Sequence, residues 1–255
     1  MNPREALESA YNELSPFSTP HRWEFYSNLK HIEFLCKHLK PGQSVLDIGS
    51  GIGIFAVALA KLGYVVDGMD KYIFLPDTYL SLGDGAIEKL QKVWADNKIQ
   101  IINEDVLTLA SNKQYDCVVN IAVIEHQTDP KKFINACLKQ LQKGGLFFCV
   151  SPSMVDLLNR LRVLWGRSAH RDLKPFFDAG DNFVGHWREY TLCDVIEMCK
   201  WSNLEVTEAR NYPTLPYFNG KNSVWRSLFL SFFYLAAQLI PGARDTNSVI
   251  AKKLQ

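Results

Sequence analysis

A glycine-rich turn between two acidic residues contains the side chains best suited to chemistry. Residues 45–56 read Val-Leu-Asp-Ile-Gly-Ser-Gly-Ile-Gly-Ile-Phe-Ala, which is an apolar run, a turn and the start of a helix. Glycine adopts positive φ and lets a ligand approach the backbone, and the N-terminus of the next helix points at that ligand. Asp70 ends the following apolar run, where a carboxylate can accept both hydroxyls of an adenosine ribose. The spacing predicts a nucleoside-binding site.

Asp47 distinguishes between two classes of ligand for this turn. Residues 51, 53 and 56 also fit the G-x-G-x-x-A pattern of dinucleotide sites. A carboxylate two residues before Gly49 would repel a pyrophosphate, however, whereas it would attract the ammonium and sulfonium of S-adenosylmethionine. We therefore predict S-adenosylmethionine as the cofactor, with a nicotinamide-dependent oxidoreductase as the alternative.

With these motifs the chain resembles the class I S-adenosylmethionine-dependent methyltransferases. Three later segments, 99–107, 115–130 and 141–152, resemble the third strand, the fourth strand, and the helix stop with the fifth strand of that family. The resemblance implies an α/β fold with a Rossmann-like, doubly wound seven-stranded sheet, an antiparallel terminal strand pair at 203–210 and 247–253, and an inserted cap. It places Asp105 against the adenine amino group. The predicted cofactor-binding residues are Asp47, Gly49, Ser50, Gly51, Gly53, Asp70, Lys71, Asp105, Val106 and Asn120.

Apolar periodicity places the helices that would position these residues. It predicts helices at 26–39, 53–62, 84–96, 130–142 and 192–201, with Thr191 capping the last. Helices that alternate with strands are typical of a doubly wound parallel sheet. We predict one methyltransferase domain over residues 1–255, with cap insertions at about 153–190 and 213–246 that cover the acceptor. Simple packing decoration is the alternative for both insertions.

Two histidines are the candidate catalytic residues. Methyl transfer to a hydroxyl benefits from a general base, whereas an amine acceptor needs none. His126 follows the fourth strand, which in the family ends under the transferred methyl, and His186 lies in Gly-His-Trp-Arg-Glu-Tyr-Thr, a segment similar to one in many family members. The alternatives are a backbone-bonded histidine at 126 and orientation of the cap by His186. His21 is a third candidate.

The segment 124–130 also resembles that of the ubiquinone-pathway O-methyltransferases, in which acids and the histidine can hold a divalent ion. Those enzymes place a further Glu at the position of Ala122. Glu125 and His126 alone offer too few oxygens for a tight Mg²⁺ site. We therefore predict no bound metal, with a weak site completed by substrate or water as the alternative.

Composition bears on compartment and partners. The chain has 28 basic and 27 acidic residues and a net charge of +1, and no basic stripe marks a nucleic-acid surface, so we do not expect a tRNA or DNA substrate. The N-terminus lacks the apolar core of a secretory signal, and the six cysteines form no C-x-x-C pair. They indicate reduced core residues, and we predict a cytoplasmic protein.

Residues 224–240 form the least polar segment of the chain. These 17 residues include Arg226 and are short for a transmembrane span. Three interpretations remain, namely a cap packed on its own sheet, a homodimer contact, and an interfacial helix that contacts a membrane or a lipid-linked substrate. The cap is favoured.

The sequence therefore predicts S-adenosylmethionine-dependent methyl transfer to a small-molecule or glycan acceptor, at a hydroxyl oxygen. N- or C-methyl transfer and a non-catalytic S-adenosylmethionine-binding module are the alternatives. The motifs do not predict the identity of the acceptor.

Overall fold

The computed structural model describes residues 1–17, 22–71, 85–170, 173–180, 183–213 and 224–254, except for the side chains of 22, 23, 224–227, 229 and 230. His21 lies outside the described residues. The strands in this part of the chain are β1 (Ser44–Ile48), β2 (Val65–Met69), β3 (Gln100–Ile102), β4 (Tyr115–Ile121), β5 (Leu141–Pro152), β6 (Leu204–Tyr212) and β7 (Thr246–Lys253).

These strands form one seven-stranded sheet in the order β3-β2-β1-β4-β5-β7-β6. Strand β1 pairs in parallel with both β2 and β4, and β2 pairs in parallel with β3. Strands β6 and β7 pair antiparallel. The predicted fold class and the terminal strand pair are thereby confirmed, with strand ends within two residues of the prediction.

The described helices are α1 (Pro3–Leu14), α2 (Arg22–Leu35), α3 (Ile54–Lys61), α4 (Ala86–Asp96), α5 (Pro130–Lys139), α6 (Leu157–Leu164), α7 (Leu173–Ala179), α8 (Leu192–Trp201) and α9 (Val224–Leu239). A 3₁₀ turn covers Ile124–His126. Helix α8 begins as predicted, since the Thr191 side chain accepts the Asp194 N–H and Asp194 accepts the Thr191 N–H. Helix α1 was not predicted from the sequence, and its N-terminus is capped reciprocally by Asn2 and Glu5.

The predicted helix at 130–142 is wrong at its end. Helix α5 stops at Lys139, and β5 begins at Leu141, where a helix stop was expected. The reason is pairing with β4, because the Tyr115 N–H donates to the Gln140 carbonyl at 2.8 Å. The backbone at 140 is therefore already part of the sheet.

The chain forms two compact units, the first comprising residues 1–120 and 136–147, the second residues 121–135 and 148–254. In the first unit, α1 packs against α3 and α2 and buries Leu7 and Leu14 completely or almost so. In the second unit, α9 lies between β6 and β7 in the chain. Its Phe233 and Ala237 pack with Leu157 of α6 and with Ala243. One methyltransferase domain with two cap insertions stays a prediction.

Candidate functional site

The glycine turn in the first unit joins β1 to α3 in a conformation that requires glycine. Gly49, Gly51 and Gly53 have φ of 76°, 54° and 89°, in the left-handed region that side chains disfavour. The N–H groups of Gly49 and Ser50 both donate to the Met69 carbonyl, at 2.7 and 3.1 Å. The turn is thus fixed to the end of β2, and Gly53 caps α3.

Two buried carboxylates flank this turn. Asp70 accepts the Gly51 N–H at 3.0 Å, and Asp47 on β1 has a buried Oδ2 with no hydrogen-bond partner among the described residues. Burial, and then the charge of Asp70, raises the pKa of Asp47 to about 8. A cationic ligand would remove the cost of ionising Asp47 here, because an opposite charge at short range favours the charged form. The site therefore suits a ligand with an ammonium or a sulfonium.

Contacts behind the turn were not anticipated from the sequence. A Cβ on Gly68 of β2 would lie 2.3 Å from Ile101 Cδ1 and 2.7 Å from the Ser50 Oγ, so only glycine lets Ser50 pack there. The Trp94 Nε1 donates to the Ile52 carbonyl at 3.0 Å and would lie 3.1 Å from a Cβ on Gly53. No local pattern links Trp94 on α4 with a turn so far away in the chain.

The remaining predicted cofactor residues lie in the same unit, after β2, after β3 and at the end of β4. Lys71 forms an ion pair with Asp105, with 3.0 Å between Nζ and Oδ2, and the Leu107 N–H donates to Asp105 Oδ1 at 2.9 Å. Val106 is buried, and Asn120 is fully buried on β4 beside Ile48. All ten predicted cofactor residues therefore lie in the first unit, at or after the carboxyl ends of β1–β4.

In the second unit the structure brings the two candidate histidines together. The rings of His126 and His186 meet edge to face, with centroids 4.8 Å apart. His126 Nδ1 lies 2.9 Å from the Val184 carbonyl, and His186 Nδ1 lies 3.0 Å from a Glu189 oxygen. These oxygens accept, so each Nδ1 donates, and in the neutral form of either ring the lone pair is then on Nε2. Either histidine is thus oriented to act as a general base.

Glu189 was not among the site residues predicted from the sequence. It is buried, and its second carboxylate oxygen lies 3.5 Å from the Asn159 Nδ2 of α6. The i, i+3 spacing of His186 and Glu189 was the available signal, because a histidine base is commonly oriented by a carboxylate.

Glu125 adds a second buried carboxyl group beside the histidines. Neither of its oxygens accepts a hydrogen bond from another of the described residues, and burial raises the pKa of this carboxyl group to about 7. One ligand atom each from Glu125, His126 and His186 lies within 4.8 Å of the others. Two imidazoles and a carboxylate could hold a first-row transition ion better than Mg²⁺. The absence of a bound metal stays a prediction.

A cavity of about 230 Å³ opens beside His186 in the second unit. Much of its lining comes from the first predicted cap segment, and Phe176 and Trp187 pack edge to face with centroids 5.8 Å apart. The lining residues are Ser168, His170, Leu173, Phe176, His186, Trp187 and Glu189. Aromatic walls with a few polar groups are typical of pockets for small ring-shaped ligands.

Comparison with known proteins decides the family. The model of a methyltransferase domain family matches residues 21–208, which include the glycine turn and both histidines. The chain belongs to this methyltransferase family. The match supports a methyltransferase and not the dinucleotide-dependent oxidoreductase that was the alternative interpretation of the glycine turn.

Curated relatives of this methyltransferase are ubiquinone biosynthesis O-methyltransferases. The protein from Nitrosospira multiformis is 30% identical over 151 residues, which cover 53% of this chain and 59% of the relative. The protein from Albidiferax ferrireducens is 32% identical over 148 residues, which cover 53% and 56%. The chain thus spans about half the length of the curated relatives it matches.

Solved structures with the same fold include two methyltransferases that are named for other substrates. The 1,6-didemethyltoxoflavin N1-methyltransferase of Burkholderia thailandensis is 13% identical, with a TM-score of 0.59 over 99% of this chain and 87% of that one. Phosphoethanolamine N-methyltransferase 2 of Haemonchus contortus is 20% identical, with a TM-score of 0.57 over 99% and 57%. At these identities the likeness shows the fold alone.

Proposed function

We propose that this chain is an S-adenosylmethionine-dependent methyltransferase that acts on a hydroxyl oxygen of a small acceptor. The observation that carries the proposal is the pair of buried carboxylates, Asp47 and Asp70, around a turn of left-handed glycines. Asp47 suits the cationic methionine end, and Asp70 suits the ribose hydroxyls. Asp105 and Val106 would contact the adenine.

S-adenosylmethionine supplies a methyl group activated on a sulfonium, so the protein's own contribution is to orient the acceptor and to accept its proton. His186, oriented by Glu189, or His126, oriented by the Val184 carbonyl, would take that proton at Nε2. The aromatic cavity beside His186 would hold a ring-bearing acceptor. The O-methyltransferase names of the relatives support oxygen as the acceptor atom.

Two measurements test the proposal in sequence. Calorimetry should detect binding of S-adenosylhomocysteine but not of NADH. Transfer of radiolabelled methyl from S-adenosylmethionine should then be measured with matched phenols, sugar alcohols and anilines, and we expect turnover with a hydroxyl acceptor.

Three outcomes would contradict the proposal in part or in whole. Turnover only with amines would replace the O-methyl assignment with N-methyl transfer. Binding of S-adenosylhomocysteine without turnover across the whole panel would favour the non-catalytic binding module. Failure to bind S-adenosylhomocysteine would overturn the cofactor assignment itself.

A further inference from the structure

Helix α9 carries an apolar stripe that the rest of the described protein leaves exposed. The stripe consists of Leu228, Phe232, Leu235 and Leu239, which are 57%, 72%, 56% and 76% exposed. Spacings of four, three and four residues place all of them on one face of the helix. The described part of the chain therefore leaves this face of α9 uncovered.

The opposite face of α9 is occupied, so the stripe is not a missing intramolecular contact. Phe233, Ala236 and Ala237 pack against Leu157 of α6 and against Ala243. The helix is thus attached to its own unit by one face and presents the other to its surroundings. Contiguous exposed apolar side chains of this kind mark interaction surfaces.

The charges around the stripe indicate what covers it. The insertion at 213–246 contains three basic residues, Lys221, Arg226 and Arg244, and one acidic residue, Asp245, although the whole chain has a net charge of only +1. The Arg244 Nη2 donates to the Gln238 carbonyl at 3.1 Å, and the Arg160 Nη2 donates to the Pro241 carbonyl at 2.9 Å. Two guanidinium groups therefore lie beside the end of the helix where Leu239 is exposed.

We infer that the stripe on α9 docks in the plane of an anionic lipid surface. Apolar side chains on one helix face with cationic groups beside them are the chemistry of interfacial helices, because the former enter the acyl boundary while the latter pair with lipid phosphates. A second copy of the chain fits less well, since residues 213–246 carry three basic residues and offer them only Asp245 as an acidic partner. This inference does not depend on the proposed methyl transfer.

Helix length fixes the mode of contact. The 16 residues of α9 extend about 24 Å, which is less than the hydrocarbon thickness of a bilayer. Among the described residues no helix is both long and apolar enough to cross a membrane. The helix therefore lies on the surface of the bilayer.

Vesicle co-sedimentation tests this inference with the full chain. We expect the wild type to bind phosphatidylcholine vesicles that contain phosphatidylglycerol, to bind pure phosphatidylcholine vesicles less, and to be released as salt rises. Substituting Phe232→Ser together with Leu235→Ser should lower the partition coefficient about tenfold or more, because both apolar anchors are removed. Thermal unfolding should change little, since both side chains are already exposed.

Two matched variants complete the experiment. Val65→Ser removes a 56% exposed side chain from β2 in the other unit and should leave vesicle binding unchanged. Phe233→Ser alters the packed face of α9 and should lower the unfolding temperature, which Phe232→Ser should not.

Three results would overturn the inference. They are a wild type that does not sediment with anionic vesicles, an equal loss of binding in Val65→Ser, and a wild-type dimer in sedimentation velocity that the Phe232→Ser, Leu235→Ser variant converts to monomer. The last would make the stripe a subunit interface.

Discussion

The raised pKa of Asp47 makes proton release a quantitative test of the cofactor site. With a pKa of about 8, this carboxyl group is mostly protonated at pH 7 before ligand binds. A bound ammonium favours the ionised form, so binding should release about 0.9 proton at pH 7. Each pH unit below 8 then weakens the free energy of binding by about 1.4 kcal/mol. The affinity for the ligand should therefore rise about tenfold per pH unit up to pH 8 and then level off.

Asp47→Asn removes the link between ligand binding and proton release while keeping the shape of the side chain. At pH 8.5 the variant should bind S-adenosylhomocysteine about 10- to 100-fold more weakly, because a neutral amide loses a charge-assisted contact. At pH 6 the difference in affinity between wild type and variant should shrink, because ionising Asp47 in the wild type then costs about 2.7 kcal/mol. The variant itself should release no proton from this position.

The assay is isothermal calorimetry in two buffers with different enthalpies of protonation. Protonation of the ligand's own amino group affects both proteins and cancels in the comparison. Asp116→Asn is a matched control, because Asp116 lies at the start of β4, at the opposite end of the strands from the glycine turn. There it accepts the Ser44 N–H at 2.8 Å. Equal proton release by wild type and Asp47→Asn would refute the reasoning.

Three further perturbations test the other parts of the site. Asp70→Ala should weaken S-adenosylhomocysteine binding by about 2–4 kcal/mol in calorimetry, since it removes acceptors for the ribose, and an unchanged affinity in the folded variant would exclude this role. His126→Ala should slow hydroxyl methylation by about 10²–10⁴ with cofactor affinity retained, and EDTA should do little to the wild type. Loss of wild-type activity in EDTA with recovery on adding a divalent ion would contradict the metal-independent mechanism. Because the folded pKa of Glu125 is about 7, above its usual 4.5, its contribution to stability should fall by about 3 kcal/mol as pH rises from 4.5 to 7. Glu125→Gln should flatten that part of the unfolding curve, and an identical pH dependence in both proteins would contradict the assigned cause.

The sequence by itself determined the sheet and the glycine turn. Positive φ at Gly49, Gly51 and Gly53 is a local requirement that glycine meets, and β1, β2 and β4 are short, mainly apolar runs. Thr191 and Asp194 likewise cap α8 with atoms three residues apart. Features of this kind depend on near neighbours in the chain, and therefore a single sequence predicts them.

Only the tertiary structure decided the electrostatics and the exposed surface. The pKa values of Asp47 and Glu125 rise mainly because distant segments remove water from them, and no spacing in the sequence encodes that burial. The contact between His126 and His186 joins residues far apart in the chain. Helix α9 is apolar on nearly every side, so its composition could not indicate which face packs on Leu157 and which leaves Phe232 exposed. That choice depends on what the rest of the fold places beside the helix.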